Sequence, residues 1–263
     1  MLLQPLRVTE VTRYLVPLRE GGSLPALVEA ADGFMYVLKF RGAGQGIKVL
    51  IAELVVGELA RLLHLRIPEL VFCTLDPAFG RSEPDEEIQD LLRASTGLNL
   101  GLHFLAGAST FDPLVMPVPA ALASLVVWLD CFTLNVDRTA RNTNLLVWHN
   151  ELWLIDHGAA LYLHHTGPTW AAAASRSFPQ VRDHVLLPQA TALPEADAQA
   201  HQFLGPHQLQ EVVNLIPDEW LMTADPALDP AVHRQQYHTF LASRLANSAT
   251  FVAEATNARL ARI

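Results

Sequence analysis

Residues 34–40 alternate strictly: Phe34, Tyr36, Leu38 and Phe40 fall on one face of an extended chain, and Met35, Val37 and Lys39 on the other. A period of two predicts a strand with one buried face. Ala31-Asp32-Gly33 just before it has hairpin-turn chemistry and predicts a partner strand over Pro25–Ala30. Arg13–Leu18, Leu70–Leu75 and Asn99–Phe104 read as further strands. The period then lengthens. Leu50, Ile51, Leu54, Val55, Leu59 and Leu62 recur at helical spacing and predict a helix over Ile47–His64, ended before Pro68. Glu83–Ala94 reads as a short, acidic, exposed helix.

From Gly107 the pattern changes. Pro113, Pro117 and Pro119 punctuate a linker, and a strongly apolar helix is expected from Pro119 to Thr133. Leu145–Trp148 and Glu151–Ile155 form a hairpin around His149-Asn150. Residues 168–194 are irregular, and from Gly205 the chain reads as helical, with Gln236–Leu260 the longest candidate. The outline is α+β: a small β-rich lobe over residues 1–106 and a larger, mainly helical lobe over residues 107–263.

Composition narrows the class. Apolar residues make up 51% of 263 positions and charged residues 17%, which describes a chain with a sizeable core. The net charge of −9 argues against a broad nucleic-acid footprint. The apolar run from Val118 to Leu134 is interrupted by Pro119 and Asp130, so a buried helix is expected and not a membrane span. Met1–Leu6 has neither a basic leader nor an apolar core, and no secretory signal is expected. Cys73 and Cys131 sit in apolar runs and read as buried thiols in a reducing cytoplasm.

The chemistry concentrates downstream of the apolar helix. Asp137 is followed by Asn142 five residues on, and Asp156 stands behind the hairpin. Neighbouring antiparallel strands lie roughly 4.8 Å apart, so the hairpin returns Asp156 to the end where Asn142 begins. Asn142 and Asp156 could then share one magnesium ion, which favours oxygen ligands and completes its shell with phosphates and water. Asp137 stands where a base could orient an incoming hydroxyl. Asn144, at the start of the strand, is read as a local backbone partner.

Phosphoryl transfer also needs a cation on the nucleotide phosphates. Lys39 shares a strand face with Met35 and Val37, and a buried ammonium requires an acidic or phosphate partner. Glu53, flanked on its helix by Val49, Val56 and Gly57, is the first choice for that partner, and Glu58 the second. Gly21-Gly22-Ser23 occupies the place of a phosphate-covering loop between the first two strands, so Gly22 and Ser23 join the nucleotide site. Gly42-x-Gly44-x-Gly46 lacks the dinucleotide fingerprint and reads as a flexible connection. His157, His164 and His165 do not make a zinc site, because adjacent histidines cannot easily face one ion from a regular element.

Tyr36-Val37-Leu38-Lys39-Phe40, Ala52-Glu53-Leu54, Leu59-Ala60, Ile67-Pro68-Glu69, Asn135-Val136-Asp137-Arg138 with Asn142, and Ile155-Asp156-His157-Gly158 occur in an order that resembles the HipA-like family of bacterial kinases. The similarity covers residues 10–165. It implies a two-lobed protein-kinase-like fold and an ATP- and Mg2+-dependent serine/threonine kinase. In that comparison Asp137 is the catalytic base, Asn142 and Asp156 hold the metal, Lys39 contacts ATP, and Glu53 is its partner. Phe72–Asp76 or Asn99–Phe104 would be the adenine hinge. The implied partners are ATP, a protein substrate or small-molecule hydroxyl acceptor, and an antitoxin-like regulator. Thr139 stands where many relatives have His, and the segment around Gly22 departs from the toxin pattern. A small-molecule or lipid kinase, and a pseudokinase acting as a nucleotide- or protein-binding module, are the alternative readings.

Overall fold

The computed structural model describes residues 5–18, 24–82, 84–167 and 170–262. The expectations for Gly22 and Ser23 lie outside these residues. Its N-terminal part is a closed five-stranded barrel in the order β1-β2-β3-β5-β4, built from β1 (Val8–Pro17), β2 (Ala26–Ala30), β3 (Met35–Lys39), β4 (Leu70–Leu75) and β5 (Gly97–His103). The strands were anticipated, except that β1 starts at Val8 and not at Arg13; the closure made by that extra stretch was not anticipated. Val8–Glu10 pair in parallel with Phe72–Thr74, and the rest of β1 pairs antiparallel with β2. Two register shifts, after Val11 and after Tyr14, bend β1 so that one strand serves two neighbours. Val28, Tyr36, Leu38, Val71 and Cys73 fill the interior. Gly101 belongs there because a Cβ would come within 2.6 Å of the Cys73 sulfur.

The alternation in β3 breaks at both margins. Tyr36, Leu38 and Phe40 are buried as expected, but Phe34 is exposed, and at the end of the strand Lys39, on the other face, is buried as well. The acidic segment forms α2 (Glu86–Ala94), with Asp85 capping its N-terminus by accepting from the backbone of Glu87 and Ile88. It is amphipathic, not wholly exposed, and buries Ile88 and Leu92 against the barrel.

Helix α1 (Ile47–Leu62) is buried on nearly every side, including Glu53 and Glu58. A helix apolar all round belongs inside a core. It shares one continuous core with α3 (Ala120–Thr133), which fulfils the expectation of a buried apolar helix. No helix among the described residues is long and apolar enough to cross a membrane. A three-stranded sheet follows, in which β7 (Leu145–Trp148) lies between β6 (Ser109–Thr110) and β8 (Glu151–Leu154). Residues 170–189 run through short 3-10 turns. The helical part continues with α4 (Leu193–Phe203), α5 (Pro206–Asn214), α6 (Asp218–Ala224), α7 (Pro230–Ala246) and α8 (Ser248–Leu260). The single long helix expected over Gln236–Leu260 is thus two helices. Asn247 leaves helical geometry between them (φ −109°, ψ 21°), ending one helix and starting the next, and its Nδ2 donates back to the Ser243 carbonyl of α7 at 2.8 Å.

Helix α6 reaches back to the barrel. Trp220 is fully buried, packs edge-on against Phe72 with centroids 5.5 Å apart, and donates from Nε1 to the carbonyl of Leu98 at 3.0 Å. Arg41, just after β3, meets Glu219 at 3.0 Å and Thr223 at 3.3 Å. Trp220→Ala is expected to lower unfolding free energy by about 3–5 kcal/mol through the cavity it leaves. Trp220→Phe, which keeps most of the packing and loses the hydrogen bond, should cost about 1 kcal/mol. Urea unfolding of the two variants measures both.

Candidate active site

Lys39 ends β3 with its ammonium inside the protein. Nζ lies 2.7 Å from Glu53 Oε2 and 2.6 Å from Asp156 Oδ1. Burial would lower the lysine pKa, but the two carboxylates outweigh it and raise it, so the ammonium stays charged. The same ammonium holds Asp156 below the usual carboxylate range. Burial pushes the Glu53 carboxyl up, against the pull of Lys39 and of the His157 backbone N–H, which donates to Oε2 at 2.7 Å. Glu58, the second choice, is paired instead with Arg61 at 3.3 Å. Gly158 lets α1 approach this segment: a Cβ there would stand 2.5 Å from Val49.

The loop after α3 carries the other predicted residues. Leu134 turns left-handed (φ 56°) at the helix end, and the Asn135 N–H returns to the carbonyl of Asp130 at 2.8 Å. Asp137 Oδ2 accepts from Asn142 Nδ2 at 2.7 Å and from Asn144 Nδ2 at 3.2 Å. Asn144 is therefore not simply a backbone partner. Its positive φ (47°) aims its amide at Asp137, while its carbonyl accepts from Ile155 N at 3.1 Å. Thr139 Oγ1 accepts from Asn142 N at 3.3 Å and tightens the turn between them.

Asp137, Asn142 and Asp156 line one cavity of about 430 Å³, together with Gln45, Val49, Val136, Gly158, Ala159, Tyr162 and His165. Lys39 and Asp156 line an adjoining cleft of about 620 Å³ with an apolar wall that includes Val37, Leu102, Phe104, Leu146 and Ile155. Asp156, itself left-handed (φ 54°), stands at both. Of the two segments offered for a hinge, the end of β5 borders the cleft through Leu102, His103 and Phe104. A cavity of about 660 Å³ bordered by Glu10, Arg13 and Phe79 has no such convergence of lysine, aspartates and asparagine.

A buried network beneath the loop went unrecognised in the sequence. Asp130, on α3, accepts from Arg138 Nε at 2.6 Å, from Asn135 Nδ2 at 3.0 Å, and contacts His184 Nε2 at 2.9 Å. Burial would raise its pKa, but Arg138 and the His184 hydrogen bond hold it well below the carboxylate range. Arg138 also donates to the carbonyls of Asn144 and Ile155, at the two ends of the hairpin, and to His157 Nδ1 at 3.2 Å. One guanidinium thus joins the Asp137 loop to the Asp156 end. The available signal was Asp130 inside an apolar helix and an arginine directly after Asp137; the partner His184, 54 residues from Asp130, gave no local clue.

Burial and the Arg138 charge push His157 down to about 3, so it is neutral in the folded chain. Its unfolded counterpart takes up a proton below pH ~6.5, and the folded one does not until about 3. Stability is therefore lost as pH falls across that window, by up to ~1.4 kcal/mol per unit for this group. His157→Gln is expected to flatten the acid limb of unfolding free energy against pH by about one proton, measured by denaturant titration from pH 7 to 4.

A model of the HipA-like kinase family matches residues 8–252. Among solved structures, the Helicobacter pylori proinflammatory kinase CtkA superposes with a TM-score of 0.59 at 12% identity, covering 98% of this chain and 99% of that one. The Golgi casein kinase aligns at a TM-score of 0.48 and 12% identity, over 99% of this chain and 75% of that one. A structure of that kinase with Mn/ADP bound gives 0.45, with 12% identity and coverage of 98% and 75%. No curated protein matches the chain by sequence. The family match spans nearly the whole length, and CtkA shares the fold from end to end: this chain belongs to the HipA-like kinase family.

Proposed function

We propose that this protein is an ATP- and Mg2+-dependent kinase that transfers the γ-phosphoryl group to a protein serine or threonine hydroxyl. The observation that carries the reading is the junction at Asp156, where the Lys39–Glu53 pair on one side meets Asp137 and Asn142 on the other. Residues 1–106 and 107–263 are read as the two lobes of a kinase, a division supported by the barrel before Gly107 and the helices after it. The cytoplasm is the expected compartment, in keeping with two buried free thiols.

The residues fit a magnesium ion. Asp156 offers a carboxylate, and Asn142, whose amide nitrogen is engaged by Asp137, offers its amide oxygen. Two protein oxygens with phosphate and water suit magnesium better than a closed protein cage. Among the described residues no cluster of three His, Cys, Asp or Glu side chains offers such a cage. When bound, the ion would neutralise charge on the β- and γ-phosphates. Lys39 would bind phosphate oxygens, with Glu53 fixing its position. The apolar wall of the 620 Å³ cleft would take the adenine, with the end of β5 as its hinge.

Asp137 would orient the acceptor. Both asparagine amides bind its Oδ2, which leaves Oδ1 for the incoming hydroxyl. The hydroxyl oxygen forms a bond to γ-phosphorus as the bond from phosphorus to the β,γ-bridging oxygen breaks. The hydroxyl proton passes to Asp137, and ADP leaves.

Asp156→Asn is expected to abolish the Mg2+-dependent part of the thermal stabilisation by ATP, because it weakens the metal ligand. An unchanged shift would remove Asp156 from that role. Asp137→Asn should keep the shift and lower transfer of labelled γ-phosphate to lysate proteins by about 10²–10⁴-fold. If the wild-type chain binds ATP and labels nothing, a nucleotide-binding module replaces the kinase reading.

A further inference from the structure

The cavity beside Asp137 contains a histidine that the steps above leave unused. His165 sits in a 3-10 turn (Tyr162–His165) and lines the 430 Å³ cavity with Asp137, Asn142 and Asp156. Its Nε2 lies 3.1 Å from His164 Nε2, so the 3-10 turn brings the adjacent rings together. His164 is buried, and its Nδ1 lies 3.0 Å from the hydroxyl of Tyr237 on α7, which is also fully buried. Among the described residues His164 is the polar partner of that hydroxyl.

The proton directions follow from these contacts. A buried hydroxyl needs to donate, because an unsatisfied O–H in the interior is costly. Tyr237 therefore donates to His164 Nδ1, and a neutral His164 carries its proton on Nε2. That N–H donates to His165 Nε2. A neutral His165 then carries its own proton on Nδ1. Burial, His165 and the Lys48 ammonium all hold His164 well below the ordinary imidazole range, which keeps it neutral. Lys48 also anchors the turn itself, donating to the His164 carbonyl at 2.7 Å.

We propose that His165 is the acceptor-binding residue of this site, held as a neutral Nδ1–H donor by the buried Tyr237–His164 relay and aimed at a carbonyl oxygen next to the acceptor hydroxyl. The cavity already holds the carboxylates of Asp137 and Asp156, which disfavour an anionic substituent. A neutral N–H matches a neutral carbonyl, and a serine or threonine within a peptide brings one next to its hydroxyl. A simple polyol does not. This inference rests on the kinase reading and specifies what that same site recognises.

The test uses the full chain with Mg–ATP, labelled in the γ-phosphate, and two acceptors: a degenerate serine/threonine peptide pool, and glycerol. His165→Ala is expected to raise the KM for the peptide pool about tenfold or more while leaving the KM for ATP unchanged. His165→Gln, which restores an N–H donor, should recover most of the loss, and the slower glycerol reaction should be indifferent to either change. Nitrogen-15 NMR of histidine-labelled protein should show His165 as the Nδ1–H tautomer, and Tyr237→Phe should shift that population. An unchanged peptide KM in His165→Ala, equal losses with both acceptors, or an Nε2–H tautomer overturns the proposal. Wild-type protein that labels neither acceptor nor any lysate protein instead removes the kinase reading, and the acceptor role with it.

Discussion

An ammonium placed inside a protein has to be paired, and in this molecule that requirement joins three separate parts of the chain. Lys39 brings the barrel, Glu53 the central helix and Asp156 the end of the hairpin, all within 2.7 Å contacts. An unpaired charge there would cost several kcal/mol, so none of the three elements can shift alone. The close approach of Val49 to Gly158 fits the same arrangement. Because α1 is buried on nearly all sides, Glu53 is delivered by the core itself and not by a surface helix free to swing.

A second buried charge organises the loop after α3 and the ends of the hairpin. Asp130 fixes Arg138, and Arg138 gathers the carbonyls at the two ends of the hairpin. Such a pair contributes little net stability compared with apolar packing, but it specifies one geometry. Specification matters here because Leu134, Asn144, Asp156 and Leu161 all adopt positive φ around the site. Non-glycine residues rarely do so, and the surrounding structure must over-determine them. Backbone hydrogen bonds from Leu161 to Thr133, Ile155 to Asn144 and Asn135 to Asp130 supply that constraint.

The residues of the candidate site were legible to different degrees for physical reasons. Asp137, Asn142 and Asp156 could be grouped because a hairpin returns its ends to one place whatever surrounds it. Lys39 could be marked because a strand alternates faces, and Glu53 because its helical neighbours are small or apolar. Asn144 was misjudged because a left-handed turn sent its side chain to Asp137. His165 adjoins Asp137 and Asn142 through the packing of its 3-10 turn, which no local pattern shows. The Asp130–Arg138–His184 network depends on a partner far along the chain.

The same division runs through the fold. Hydrophobic periodicity sufficed for β2 to β5, for the buried helices α1 and α3, and for the hairpin, because each depends on neighbours a few residues away. It could not reveal that β1 pairs with β4 across more than sixty residues and closes a barrel, nor that α6 returns to dock Trp220 on Phe72. Nor could it show that one guanidinium would bind both ends of the hairpin. Those choices follow from which apolar surfaces are left to cover, and which buried charges are left to pair, once local elements have formed. Both are properties of the packed molecule, and no short window of sequence contains them.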